Sequence, residues 1–217
     1  MKDNLIIFAT KNPGKLQEFK KFLQLPSEYR IIGLDEIDRS IPDCEETGTT
    51  FAENAKLKVV HARKYLRAEH EQAIIIGDDS GLSINVLDGE PGVYSRRWAG
   101  YEMADKELLD YCLMKMSGHT DRRAEYVSCL AVLLPGRDDP TYIQEGSSGV
   151  LLKETRLESL MPGMPFRALF YIPELEMMFH QVRDLKKLDR KGYRLGHEVA
   201  FERCRQVVDV AVRNRAA

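Results

Sequence analysis

An α/β fold is what this sequence predicts, and three features carry that reading. Two short apolar runs, Leu5-Ile6-Ile7-Phe8-Ala9 and Ala73-Ile74-Ile75-Ile76, are bounded by turn residues in the manner of buried strands. Between and after them, apolar residues recur at helical spacing. A pair of runs at residues 126–134 and 141–145, separated by Pro135-Gly136, reads as two paired strands. At 217 residues the chain is one large domain or two lobes sharing a sheet.

The elements follow in order. The first strand ends in Thr10-Lys11-Asn12-Pro13-Gly14-Lys15, a polar turn punctuated by Pro and Gly. Leu16, Phe19, Phe22 and Leu23 then mark a helix to about Leu25. A helix that starts just after a strand leaves unpaired N–H groups and a positive dipole end, which suit an anion. Residues 30–34 form a second strand candidate. Thr50-Phe51-Ala52-Glu53 matches a capping box, with Thr50 as N-cap, and opens a helix carrying Phe51, Ala55, Val59, Ala62 and Leu66 inward. Gly77-Asp78-Asp79-Ser80-Gly81 follows the Ile74 strand and reads as acids where the strand breaks the surface, before a tight Ser-Gly turn. Residues 83–87 suggest a further strand, and 88–100 a Gly/Pro-rich loop with Tyr94, Arg96, Arg97 and Trp98. Residues 103–116 are helical by pattern, and 149–153 form a short strand. From 155 to 195 the pattern weakens around Pro162, Gly163, Pro165 and Pro173. Val199, Cys204, Val207, Val208, Ala211 and Val212 mark a C-terminal amphipathic helix.

Composition excludes several classes. A net charge of −2 argues against a dedicated nucleic-acid surface, which shows a strong basic excess. The four cysteines are scattered with no Cys-x-x-Cys pair, so free, mostly buried thiols are expected rather than zinc or disulfide chemistry. The first apolar run is too short for a signal-peptide core, and no stretch approaches a membrane span, so a cytoplasmic protein is expected. There is no G-x-x-x-x-G-K-[ST] and no G-x-G-x-x-G, which leaves a kinase or a dehydrogenase without support.

Four segments can meet at strand ends, where ligands bind in α/β sheets: the Asn12/Lys15 loop, the Glu45/Glu46 loop, the helix with Asn54 and Lys58, and the Asp78/Asp79 pair. Glu46 and Asp79 offer hard oxygen ligands of the kind Mg²⁺ takes, and Lys15 and Lys58 offer neutralising charge for phosphates. Asn54 and Lys58 lie one helical turn apart on one face and can serve the same site. Each also has a plain reading: surface lysines, a loop acid, an Asn bonded to local backbone, a Trp98 loop that only packs.

The motifs in series resemble a known family. Thr10-x-Asn12-x-x-Lys15, then Glu45-Glu46-Thr47-Gly48-x-Thr50-Phe51-x-Glu53-Asn54-Ala55-x-x-Lys58, then Asp78-Asp79-Ser80-Gly81-Leu82, then Gly89-x-Pro91-Gly92-Val93-Tyr94-Ser95 are similar to the inosine/xanthosine triphosphate pyrophosphatases. The resemblance implies one domain over residues 1–217, with a long mixed sheet, flanking helices and two lobes around a central cleft. It implies Mg²⁺-dependent hydrolysis of deaminated purine nucleoside triphosphates to the monophosphate and pyrophosphate, by a cytoplasmic homodimer. Carried over by position, Thr10, Asn12, Lys15 and Asn54 bind substrate and Ser80 contacts the nucleotide. Glu46 and Asp79 hold the metal, Asp79 is the base for the attacking water, and Lys58 assists at the phosphates.

The second half departs from the family pattern. Its base-reading motif, Phe-Gly-Tyr-Asp-Pro, is met only by Met164-Pro165-Phe166-Arg167-Ala168. Phe166 can replace the aromatic that stacks on the base. Arg167 stands where the family has an acid, and Arg only donates hydrogen bonds. Two readings stay open: Arg167 donates to purine O6 and N7, or it is a surface residue in a segment that no longer reads bases. The closing Ser-His-Arg motif becomes Gly196-His197-Glu198, so His197 is either a substrate contact or a polar residue at a helix start. The family lysine before it falls on Gly192, beside Lys191. Two alternatives to the main reading are the same chemistry on a shifted base, and a nucleotide-binding protein without catalysis.

Overall fold

In the computed structural model, residues 4–23, 25–26, 28–160, 163–185, 187–190 and 192–216 are described, without the side chains of 159, 183–184, 187–188 and 214–216. Pro162 and Lys191 therefore lie outside the described residues. Seven strands form one mixed sheet in the order β2-β1-β3-β4-β5-β6-β7. They are β1 (Asn4–Phe8), β2 (Tyr29–Gly33), β3 (Ile74–Ile84), β4 (Arg123–Leu133), β5 (Thr141–Leu151), β6 (Phe170–Ile172) and β7 (Met177–Met178). The helices are α1 (Pro13–Leu23), α2 (Phe51–Lys64), α3 (Asp105–Lys115), α4 (Phe179–Asp184) and α5 (Gly196–Ala216). β1 pairs in parallel with both β2 and β3, whereas β5, β6 and β7 pair antiparallel.

The chain divides into two compact units. Residues 1–80, 128–145 and 197–217 form the first, and 81–127 with 146–196 the second. Each has its own core. In the first, Ile6, Phe8, Ile74, Ile76, Leu130 and Val132 pack with Phe19 and Leu23 of α1 and with Phe201, Cys204 and Val208 of α5. Phe8 stacks on Phe19 with centroids 4.2 Å apart, and Phe201 meets Phe19 edge-on at 5.4 Å. In the second, Leu82, Ile84, Leu108, Cys112, Phe166, Phe170 and Phe179 form the core.

The parallel part of the first unit positions the site. β1 lies between its two successors, so α1 returns the chain to one side and α2 to the other. Strand order thus reverses at β1, the place where a crevice opens outside the carboxyl ends of the strands. β3 also outruns its neighbour. Its last pairing with β1 is Ile76 opposite Phe8, and the next residues project past the end of β1.

Several boundaries differ from expectation. Gly77–Gly81 contains no turn; it lies inside an eleven-residue strand. Glycine at 77 admits the α2 backbone against this strand, because a Cβ there would overlap the Ala55 carbonyl oxygen. The expected strand at 83–87 is the end of β3 followed by a 3₁₀ turn at Asn85–Leu87. The separate strand at 149–153 is the tail of β5, whose Gly149 leaves room for Phe170 of β6. The weakly patterned stretch from 155 to 195 holds β6, β7 and α4, elements too short to print a period. The thiols follow expectation: Cys112, Cys129 and Cys204 are buried, Cys44 is half-buried, and all four are free.

Candidate phosphate and metal site

The first unit gathers the site from four segments. Asn12 precedes α1, and its Oδ1 accepts the Lys15 N–H at 3.1 Å, three residues into the turn. That is an N-cap interaction, with Pro13 at the first helical position, where its missing N–H costs nothing. Thr10 Oγ1 in turn accepts the Asn12 N–H at 3.1 Å. This chain of local bonds sets the start of α1, and hence Lys15, beside the end of β1.

α2 is fixed by the expected capping box. Thr50 Oγ1 accepts the Glu53 N–H at 3.2 Å, and Glu53 Oε2 accepts from Thr50 N at 3.2 Å and Thr49 N at 2.7 Å. Those bonds to Thr49 hold the Glu53 carboxyl below its usual pKa. One turn on, Lys58 projects from α2.

Strand alternation splits the acidic pair between the two helices. Ile74 and Ile76 belong to the core that α1 covers, and Asp78 continues that parity. Asp78 Oδ2 accepts from Lys15 Nζ at 2.8 Å. Gly77 and Asp79 face α2 instead, and Asp79 Oδ1 accepts from Lys58 Nζ at 3.0 Å. Lys58 Nζ also donates to the Asp78 carbonyl at 2.9 Å and lies 3.1 Å from Glu46 Oε2. One ammonium therefore bridges both expected metal-holding acids.

Electrostatics are strong because the groups are shielded. Asp79 is 7% exposed, and its Oδ2 finds no hydrogen-bond partner among the described residues. Burial raises the Asp79 pKa, and the Lys58 ammonium beside it only partly offsets that. For Lys15, burial alone would depress the ammonium pKa. The Asp78 carboxylate, with Asp79 and Glu46 farther off, outweighs burial and holds it above the usual lysine range. Beside Asp79 lies a cavity of about 270 Å³ lined by Thr10, Lys11, Asn12, Lys15, Glu46, Lys58 and Asp78, among others. Lys11 and Asp43, at its wall, form an ion pair at 3.5 Å.

The donor set suits a hard cation. No group of three or more His, Cys, Asp or Glu is arranged to hold a metal among the described residues. Mg²⁺ does not require one, since it takes one or two carboxylates and completes its shell with waters and substrate phosphates. A buried carboxylate oxygen without a donor, next to a second acid, is such a partial shell. The site thus fits the ion in the chemistry of its oxygen donors.

Other sequence candidates are placed differently. Asn54 is 1% exposed and is not among the residues lining that cavity; its Oδ1 accepts the Gly48 N–H at 2.8 Å and pins the loop that carries Glu46. Ser80 is exposed on β3, one residue beyond Asp79. His197 lies at the start of α5, and its ring meets Phe22 edge-on at 5.3 Å and Phe201 at 6.1 Å. Phe166 and Arg167 belong to the second unit. Phe166 is 3% exposed and meets Trp98 edge-on at 6.3 Å, so its ring is occupied by core packing. Arg167 is 5% exposed, which overturns its reading as a surface residue; its guanidinium lies over the Phe179 ring at 5.5 Å. Trp98 meets Tyr111 edge-on at 5.4 Å, and its Nε1 donates to Glu90 at 3.0 Å.

Sequence reasoning passed over two contributors. Asp78 appeared only as the neighbour of Asp79, yet its side chain holds Lys15 and its carbonyl holds Lys58. The period-2 rule applied through Gly77 would have assigned it to the other face. Lys11, between two quoted positions, adds a third cation, signalled only by its place in a Lys-rich turn.

Comparison with known proteins finds relatives over most of the chain. Residues 6–189 match the model of the Ham1 family. The chain is 36% identical over 185 residues to a dITP/XTP pyrophosphatase of Staphylococcus aureus, covering 84% of this chain and 87% of that one. Among solved structures, the Staphylococcus aureus Ham1 protein superposes with a TM-score of 0.75 at 31% identity, covering 94% of this chain and 98% of that one. A HAM1 protein from Coxiella burnetii gives the same TM-score and coverages at 28% identity.

Proposed function

The chain belongs to the Ham1 family, and from that premise we propose that it hydrolyses deaminated purine nucleoside triphosphates such as dITP and XTP to the monophosphate and pyrophosphate. The observation that carries this reading is the Glu46–Lys58–Asp79 cluster, with its donorless buried oxygen, beside a cavity lined by Lys11, Asn12 and Lys15.

In this reading the phosphates enter the cavity at the start of α1. Lys15 and Lys58 exchange their carboxylate partners for phosphate oxygens, which offsets the charge of the bound triphosphate. Asp79 orients the attacking water and takes its proton. Its raised pKa makes it a better base once deprotonated. Water then attacks the α-phosphorus, the anhydride to the β-phosphate breaks, and pyrophosphate leaves. Glu46 and Asp79 are the residues that would hold Mg²⁺, which when bound supplies Lewis-acid neutralisation of the phosphates. Asn54 serves through the Gly48 loop rather than by touching substrate.

We read the two units as the lobes of a single domain, acting as a cytoplasmic homodimer, and expect sedimentation at twice the 24.9 kDa chain mass. A pyrophosphate-release assay over dITP, XTP, GTP and pyrimidine triphosphates with Mg²⁺ tests the activity. Release fastest with dITP or XTP is expected; no release with any substrate rejects the enzyme reading. A second reading keeps the chemistry and shifts the base. It is favoured by one observation, a buried arginine where the family motif has an acid. A changed order of substrates in Arg167→Ala would support it, and an unchanged order would reject it.

A further inference from the structure

The position of the Lys58 ammonium raises a question that metal-site chemistry alone does not answer. Its Nζ stands 3.0 Å from Asp79 Oδ1 and 3.1 Å from Glu46 Oε2, between the two acids that would hold the cation. It also bonds the Asp78 carbonyl at 2.9 Å, so three oxygens from two segments converge on it. Its side chain is only 13% exposed. An ammonium with three short oxygen contacts in a shielded place is an internal cation. Lys15 carries the same charge nearby, and its hydrogen bond goes to Asp78.

We propose that Lys58 is a built-in counter-cation that keeps Glu46 and Asp79 closed to a divalent ion until a polyphosphate draws it away. This rests on the reading of Glu46 and Asp79 as the metal-holding residues. In the ligand-free protein a divalent ion must displace the ammonium from both carboxylates at once. A triphosphate offers Lys58 new anionic oxygens, so the ammonium can swing onto phosphate and leave both acids open. Metal and triphosphate then assist one another, because each is bound best by the arrangement the other favours.

The test is Mn²⁺ binding to the full-length protein without nucleotide, read from loss of the free Mn²⁺ signal in electron paramagnetic resonance. Lys58→Met should bind Mn²⁺ at least tenfold more tightly than wild type, whereas Lys15→Met should stay within about threefold of it, in keeping with screened charge acting at a distance. Lys58→Gln provides the same comparison should the Met variant fold poorly, with circular dichroism as the check. Wild-type affinity in both Lys58 variants would overturn the proposal. So would an equal gain in Lys15→Met, because total charge rather than occupancy would then govern the site. A gain in Lys58→Met that survives addition of Glu46→Gln overturns it as well, since the ion would be bound elsewhere. The readout is independent of turnover, so failure of the pyrophosphate-release assay would count against the activity alone.

Discussion

Asp79 gathers the strongest constraints at the scale of single residues. It is buried, its pKa is raised, one oxygen faces Lys58, and the other has no donor among the described residues. Asp79→Asn keeps the shape and removes the charge and the basicity. We expect pyrophosphate release to fall by roughly 10²- to 10⁴-fold, the range general-base loss commonly shows; retained turnover would reject the assigned role. Lys15 has a different effect. Its charge serves ground-state and transition-state phosphates alike, so Lys15→Met should raise KM by about tenfold, equivalent to about 1.4 kcal/mol, with a smaller change in kcat. The same scale shows why adjacency in sequence misled. Asp78 and Asp79 look like one acidic motif, yet a strand sends them to opposite faces and to different lysines. The sequence named the acid types and their order; it could not say which lysine each would meet, because that depends on which helix covers which face.

At the scale of elements, α2 is the best-specified piece of the chain. Its N-cap, capping box and apolar spacing all point to one start, and the helix begins at Phe51 as they require. Thr50→Ala should cost about 1 kcal/mol in urea unfolding. The Glu53 carboxyl is held below its usual pKa, so its contribution is present above the unfolded-state value and fades as pH falls through the folded one. The stability gap between wild type and Glu53→Gln should therefore shrink between pH 7 and pH 3; a gap that stays constant would reject the charged cap. β3 was less legible. Gly-Asp-Asp-Ser-Gly has the composition of a turn, and local propensity favours one. In the fold the strand runs straight through it, and the Ala55 carbonyl of α2 closes on Gly77, a contact no local pattern announces. Gly77→Ala should destabilise the protein by about 1–3 kcal/mol, as overpacking does. An unfolding midpoint equal to wild type would show that α2 can move aside.

At the scale of the whole molecule, composition and motif order went far. Near-neutral charge, scattered thiols and alternating strand and helix patterns indicate an α/β protein without a dedicated nucleic-acid surface. Four motifs in series pointed to the family that the comparisons then established. No helix among the described residues is long and apolar enough to cross a membrane. The second half was read less well, because β6, β7 and α4 are each shorter than the window in which periodicity registers. Arg167 shows the limit most clearly. Its charge suggested either a base contact or the surface, while the structure lays it over Phe179 inside the second core. The sequence by itself determined the residue types, the order of the elements from β1 to β3 and the start of α2, because those follow from spacing and local hydrogen bonding. Tertiary structure alone decided that the acidic pair lies inside a strand, that its members part to two lysines, and that Asn54, Phe166 and Arg167 are buried. Those outcomes depend on which distant segments pack together, and pattern within one segment carries no record of its partner.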